Sequence, residues 1–549
     1  YGSLVLTTLL TNVNADDIEI QKGQSENRVD ISNGVTKDNV IINGTVGPQG
    51  IHNNGTINND ITINQGGSVT GGIHNNKGAT ISGNVDIKGA LVGRVNNASN
   101  IKGDVIVDGG SIDVGVNNQR VNAIGNEGTI DGSIHIKNGT VTGGNNFSSY
   151  GHVAVYNSGT INKDIKVDRD AILNGGIVIH NLNQGGRGTI KGSIDVGGNI
   201  KGTNVGILNW MSTIEGGISV KDTANITGGI WNRYGGRING KIEVDGKVNG
   251  NITNGSQGSD NTGHGGTVIG DGITINANGN VTGNIINHNK AQINQGGIVI
   301  NGGSLGGNIQ NSGTISKISI NGGSVGGDIK NSGTNAKTGN ITINNGGSVG
   351  GSIINENGAT FSDNITLEKG STLGGIQNNG ANSTMSGTLD LKGNVGTISN
   401  AGTFDSDLNL NEISVNTINN SNTFNGNLTI SGASVQAINN TGGTISKDIT
   451  ITNDAKVGTI SNAAGAIIAK NISVNNSTLA GINNEGEIQE EVKLENKGIL
   501  NALSNSGTIK KVSIANGSKL AGNITNSGTI TNGITIDKAS LEGNITNSG

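Results

Sequence analysis

The sequence predicts an all-β chain wound as a parallel β-helix, a β-solenoid of about 22 coils of 20–24 residues. Three observations predict it. A unit beginning at Ile51, IHNNGTINNDITINQGGSVTGG, restarts at Ile73 and returns at Ile309 and Ile524. Inside each unit apolar and polar residues alternate with period two, the pattern of a half-buried strand. An Asn stands two residues after the leading aliphatic in turn after turn. Self-similarity at a fixed period of tens of residues is the signature of a stacked repeat.

Composition narrows the alternatives. Gly supplies 97 of 549 residues, well over twice its usual ~7%. There is one Pro, no Cys, and 2% aromatic residues. A collagen helix needs Gly at every third position and abundant Pro, so it is excluded. A disulfide scaffold is excluded by the absence of Cys. No stretch supplies the ~20 apolar residues of a membrane-spanning helix. The 35 Lys+Arg and 40 Asp+Glu leave a formal charge of −5. That balance gives no footprint for nucleic acid, and no nucleic-acid partner is expected.

Taken in order, residues 1–15 read YGSLVLTTLLTNVNA before a polar DDIEIQ. Val13 and Ala15 sit where a signal peptidase would look for small residues, so 1–15 reads as the remnant of a signal peptide. Residues 16–50 form a cap and the first coils. Residues 51–290 form a helix with inserted loops, and 291–549 a regular shaft broken off in mid-repeat. Each coil carries about three short strands, around the G-T-I, along the I-x-I and along the V-x-G-x-I. Ile, Val and Thr favour extended backbone, and Gly, Asn and Ser serve the turns between. In the first full unit Ile57, Ile61, Ile63, Val69 and Ile73 point inward, with Gly71 on the same face. Stacked ~4.8 Å apart, the coils build a rod of ~105 Å.

The marker Asn occurs at Asn53, Asn75, Asn97, Asn126, Asn157, Asn181, Asn209, Asn232, Asn254, Asn287 and Asn311. It continues at Asn331, Asn355, Asn378, Asn400, Asn420, Asn440, Asn462, Asn484, Asn505, Asn526 and Asn547. Asn tolerates the left-handed backbone of a corner, and stacked side chains can hydrogen-bond along the axis. The expectation is therefore a structural Asn corner ladder. Longer spacings place insertions at 143–151 and 255–266, with two more near 183–188 and 200–206.

Motifs that spell catalysis are absorbed by the repeat. Ser304, Ser324 and Ser348 each match the G-x-S-x-G of a hydrolase elbow, yet they recur in register, without a following helix and without a recurring Asp or His. GGRING before Lys241 lacks the Ser/Thr of a phosphate-binding loop. The close pairs Asp104/Asp108 and Asp168/Asp170 have no clear second acid in register. No enzyme activity, metal or cofactor is expected. His52 and His74 share a repeat position without an evident third ligand, and read as surface histidines. Glu485, Glu487, Glu490, Glu491 and Glu495 face Lys510 and Lys511 one coil later, as cross-coil ion pairs. The position before the marker Asn also holds Tyr156, His180, Leu208 and Trp231, and alternation turns it to solvent. With Phe147, Tyr150, Trp210 and Tyr234 close in sequence, this stripe reads either as a glycan- or protein-binding patch or as packing beneath the inserted loops.

The I-x-N-S-G-T-I units, the Gly/Asn/Thr-rich coils and the signal-like start resemble the passenger region of a Gram-negative autotransporter. The likeness covers roughly residues 30–549. It implies a right-handed β-helix displayed at the outer membrane or released outside the cell, an adhesin. Its partners would be a glycan or protein of a host cell or neighbouring bacterium, or further copies of itself. Its membrane contact would come only through a C-terminal barrel beyond the given sequence. The alternatives are a structural fibre and a filamentous-haemagglutinin-like exoprotein, whose N-P-N motifs this chain, with its one Pro at Pro48, does not carry. A polysaccharide-degrading β-helix is the least supported.

Overall fold

The computed structural model describes residues 16–115, 121–147, 150–180, 188–256 and 266–549. Every regular element among them is a β-strand. The chain divides into two compact units, Tyr1–Gly229 and Ile230–Gly549. Both are parallel β-solenoids, with about 23 turns in all.

One turn of the first unit shows how the repeat folds. Its strands are Ile51–Asn53, Thr56–Ile57, Ile61–Ile63 and Ser68–Thr70. Each lies parallel and in register on its counterpart one turn on: Ile51 on Ile73, Ile57 on Ile81, Ile61 on Val85, and Val69 on Leu91. Ile57, Ile61, Ile63, Val69 and Ile73 are fully buried, as the alternation predicts. A buried aliphatic of this size contributes ~1.5–3 kcal/mol. Stacking like on like fills the interior along apolar columns that a single turn could not bury alone. Gly71 departs from the expectation. It is half-buried with φ of +105°, and a Cβ there would collide with the Pro48 carbonyl. Its reason is backbone conformation and close approach.

The 16–50 segment already winds in this way. Ile18–Ile20 pairs with Val40–Ile42, and Val29–Ile31 pairs with Ile51–Asn53. Ile31 thus holds the ladder position one turn ahead of the first marker Asn.

From Ser348 onward the V-x-G-x-I segment becomes one continuous strand, as in Thr372–Asn378, Asn394–Asn400, Ser414–Asn420 and Ser434–Asn440. Earlier turns of both units break the same path, as at Gly71 and Gly72, both at positive φ, and between Ser304–Leu305 and Ile309–Asn311. At 396–397 and 416–417 the pair becomes Gly-Thr and Asn-Thr, and the strand runs through. The insertions belong to the earlier turns. The 143–151 insertion is a hairpin in which Asn145–Phe147 pairs antiparallel with Gly151–Asn157. Of the remaining insertions, 181–187 and 257–265 lie outside the described residues.

The Asn ladder is built from buried side chains, each at most 5% exposed from Asn53 to Asn157 and from Asn232 to Asn526. In the first unit Asn53 Nδ2 donates to Asn75 Oδ1 at 2.9 Å, and the series continues through Asn97 and Asn126 to Asn157. In the second unit it runs unbroken from Asn232–Asn254, at 2.9 Å, to Asn526–Asn547, at 2.6 Å. Every one of these bonds points the same way, so the amides polarise one another along the stack. Nδ2 also donates to a backbone carbonyl of the next turn, as Asn53 does to Thr80. Oδ1 in addition takes a nearby amide, Gly55 N–H in the case of Asn53. The longest link is Asn311–Asn331 at 3.3 Å. There the Thr338 hydroxyl, which accepts from Asn311, donates to Asn331 Oδ1 at 2.9 Å.

Two expectations about the ladder are corrected. None of the described marker asparagines has positive φ. They close strands in extended backbone, and the left-handed Asn residues lie elsewhere, at Asn345, Asn357, Asn453, Asn476, Asn496 and Asn516. Asn sits on the ladder for its amide rather than for its backbone tolerance. Asn181 lies outside the described residues, and the ladder position of its turn is held by Ile179, in register with Asn157 and Asn209. Ile179 cannot bond, so the run that starts at Asn53 stops at Asn157. The Asn157 amide keeps the bonds to the Gly159 and Thr189 carbonyls that Asn126 makes to Gly128 and Thr160 beside its ladder bond.

Candidate binding surfaces of the two units

The shift at Ile179 also moves His180. Val178, rather than His180, stands in register with Tyr156 and Leu208. His180 stands opposite Trp210, one position after the ladder. The Tyr150–His180–Trp210 side chains form a cluster in the first unit. Trp210 lies 5.5 Å from Tyr150 at 71°, and 5.0 Å from His180 at 36°. Tyr150 and His180 meet edge-on at 6.1 Å. Such offset and edge contacts suit the ring quadrupoles.

Burial separates the members of the predicted stripe. Tyr150 and Tyr156 are 7% exposed and His180 5%, while Trp210 is only half-buried. Tyr156, Val178 and Leu208 therefore do not face solvent, as alternation alone would have it. The reason lies in the insertions: the hairpin at Gly151 packs on Thr203, so closely that a Cβ on Gly151 would stand 2.8 Å from the Thr203 side chain. Two insertions thus cover an outer face that alternation would leave in water. Burial pushes the His180 imidazole down to about 4, so it is neutral at physiological pH. Its Nδ1 is buried without a hydrogen bond. The side chain of Phe147 lies outside the described residues; its backbone closes the hairpin strand.

The second unit carries a different cluster from the same stripe. Trp231 and Arg233 lie on the strand Ile230–Arg233, and Tyr234 follows with φ of +52°. The Arg233 guanidinium lies 5.0 Å from the Trp231 ring centre and 5.6 Å from that of Tyr234. Arg233 escaped sequence reasoning. The string Trp231-Asn-Arg-Tyr234 was the available signal, a cation within reach of two rings that strand and turn geometry bring to one side.

The other sequence candidates resolve into structure. Ser304, Ser324 and Ser348 stack in register, each at the first position of its strand. His52 and His74 stack at 4.7 Å, and each ring nitrogen Nε2 meets a backbone carbonyl, of Gln49 and Gly71. No group of three metal-ligating side chains occurs among the described residues. Asp104 accepts the Ser133 amide, Asp108 pairs with Lys137, and Asp168 pairs with His135 at 2.9 Å. The cross-coil pairs predicted near the C-terminal end are present as Lys510–Glu490 at 2.8 Å and Lys511–Glu491 at 3.0 Å. No helix of the described residues is long and apolar enough to cross a membrane. No protein-family model matches the chain, and no curated protein matches it either.

Proposed function

We propose that the chain is a surface-displayed or secreted adhesive β-helical rod of the autotransporter-passenger kind. The repeated turns act as a spacer, and the insertions with their aromatic side chains meet glycans or proteins of host or neighbouring cells. One observation carries the reading: in a chain with 2% aromatics, Trp210 stays half-exposed above Tyr150 and His180, at the place where the insertions gather. Exposed aromatic side chains on a rigid support are what binding surfaces use for anchors. A purely structural solenoid would have no need to place them there.

The test is a pair of variants of the whole chain, one lacking 143–151 and one carrying Trp210→Ala. Both are compared with the parent for binding to cells and to an array of glycans. Circular dichroism checks that the β-fold persists. The proposal predicts that each variant loses binding while keeping its fold. Binding at the parental level in both would refute it.

A further inference from the structure

We propose that one side of the second unit, from Ser348 to Asn462, is a self-complementary docking face, and that its occupant is a second copy of this chain turned end for end. The inference stands apart from the adhesive reading above, which concerns the insertions of the first unit.

Six parallel strands make the face: Ser348–Glu356, Thr372–Asn378, Asn394–Asn400, Ser414–Asn420, Ser434–Asn440 and Lys456–Asn462. Every residue from Ser348 to Asn462 is described, and the ladder spacing leaves no room for an insertion that would fold over it. From first residue to ladder Asn, these strands hold one charged residue, Lys456. In the same turns Asp390, Lys392, Asp405, Asp407, Lys447 and Asp448 all lie outside them. Charge returns one turn before Ser348, at Asp328 and Lys330. Two copies of one face present the same charges to each other, and burying charge without a partner is costly. A face cleared of charge is what contact between copies requires.

The relief of the face commits it to a second copy. One outward column runs Gly350, Gly374, Gly396, Asn416, Gln436 through successive turns. The three glycines floor a groove of about 460 Å³ that is bordered by Thr372, Asn394 and Ser414 and ends at Asn416. Asn416 and Gln436 are exposed and form a ridge in line with it. A two-fold axis along the strands, between the rows of Gly396 and Asn416, reverses the rows and keeps the column opposite itself. It sets Asn416 on Gly396 and Gln436 on Gly374 of the second copy, and symmetry supplies the reverse contacts. It also sets Ser399 opposite Asn419, and Lys456 opposite Ser348 rather than opposite its own mate.

The side chains are already ordered. The Thr417 hydroxyl donates to that of Thr397 at 3.3 Å, and Asn439 Nδ2 donates to Asn419 Oδ1 at 2.9 Å. Docking therefore freezes little that is free, which lowers its entropy cost. Six rows at ~4.8 Å and seven residues at ~3.3 Å span ~29 by ~23 Å. Two such faces cover ~1,300 Å² together, at the low end of the ~1,200–2,000 Å² of specific stable pairs. A dimer that dissociates on the order of 10 µM is expected.

Sedimentation velocity of the full chain from ~1 to ~100 µM tests this. The parent should pass from monomer to dimer, and no dimer at ~100 µM would overturn the proposal. Asn416→Lys with Gln436→Lys should weaken the dimer at least ~10-fold, with the β-fold intact by circular dichroism. Thr429→Lys with Thr450→Lys, outside the six strands, should leave it unchanged. Equal effects of the two pairs would overturn the face. Mixing the Asn416→Lys, Gln436→Lys chain with an Asn416→Glu, Gln436→Glu chain should restore a dimer; failure to do so would also overturn it. A spin label on Asn483→Cys, one row beyond the contact, fixes the orientation. The two-fold places the labels ~35 Å apart, whereas a separation near ~10 Å would show copies running the same way and overturn the arrangement. The 143–151 deletion removes no residue of this face and should dimerise as the parent does. Loss of dimer there would refute the face whatever the deletion does to cell binding.

Discussion

Replacing Asn400 by Ala removes one rung from the middle of the long ladder, and the cost can be worked from its bonds. Asn400 Nδ2 donates to Asn420 Oδ1 at 2.9 Å and to the Thr423 carbonyl at 2.8 Å. Its Oδ1 accepts from Asn378 Nδ2 at 3.0 Å and from the Gly402 amide at 3.2 Å. Asn378 keeps other acceptors, the Ser383 and Thr403 carbonyls. Asn420 Oδ1, the Thr423 carbonyl and the Gly402 amide each lose a partner. At ~1–3 kcal/mol for each buried group left unsatisfied, with relief where a water enters the vacated space, the loss is ~3 kcal/mol or more. Each turn of a solenoid contacts only its neighbours, so the loss is felt locally. Native-state hydrogen exchange followed by mass spectrometry should show ~100-fold faster opening in the segment from Asn378 to Asn420, with distant turns unchanged. Unchanged exchange there, or an equal acceleration throughout the second unit, would refute the ladder as a local source of stability.

Two further outcomes follow from single contacts. His180 is buried and neutral, with its pKa lowered from 6.5 to about 4. The unfolded chain therefore binds a proton that the folded chain refuses, and stability falls as pH drops from ~6.5 towards ~4. Exchange in the turns around Trp210 should rise over that window in the parent and stay flat in His180→Phe; identical profiles would contradict the burial argument. Phe404 and Phe424 stack one turn apart at 4.9 Å and 10°, both buried. Phe424→Ala should cost ~3–5 kcal/mol, read as earlier opening of those turns in urea, and a change below ~1 kcal/mol would contradict their packing.

The repeat was legible because its information is periodic. Ile57, Ile61, Ile63 and Val69 recur with period two inside a turn and with one turn's spacing between turns, and either signal alone would give strands. The amide bonds of the ladder were legible for the same reason. The error at 179–181 shows the limit of period-two reasoning. A slip of one residue would move every side chain to the other face, but a slip of two keeps the pattern intact. IVIHNLN therefore fits the marker rule at Asn181 as well as the true register fits at Ile179. The deciding signal was the Gly-Gly before the leading aliphatic. It precedes Ile73 and Ile230, and Gly175-Gly176 precede Ile177. The burial of Tyr156 and Leu208 was illegible for a different reason. Covering an outer face depends on where an insertion folds back, here Gly151 onto Thr203, and no local pattern encodes that distance. Arg233 was passed over because a lone Arg carries no spacing. Its meaning comes from the two rings that flank it.

In-register parallel stacking is the central claim, and cysteine cross-linking tests it most directly, since the native chain has no Cys to interfere. Asn409 and Thr429 face outward as register partners in adjacent turns. Parallel neighbours stand ~4.8 Å apart, within the span a disulfide bridges. Cysteines at 409 and 429 should oxidise to a disulfide rapidly and in high yield. A control pair at 409 and 431, slipped by two residues to ~8 Å, should not. Cross-linking of the slipped pair in preference to the register pair would contradict the fold described here.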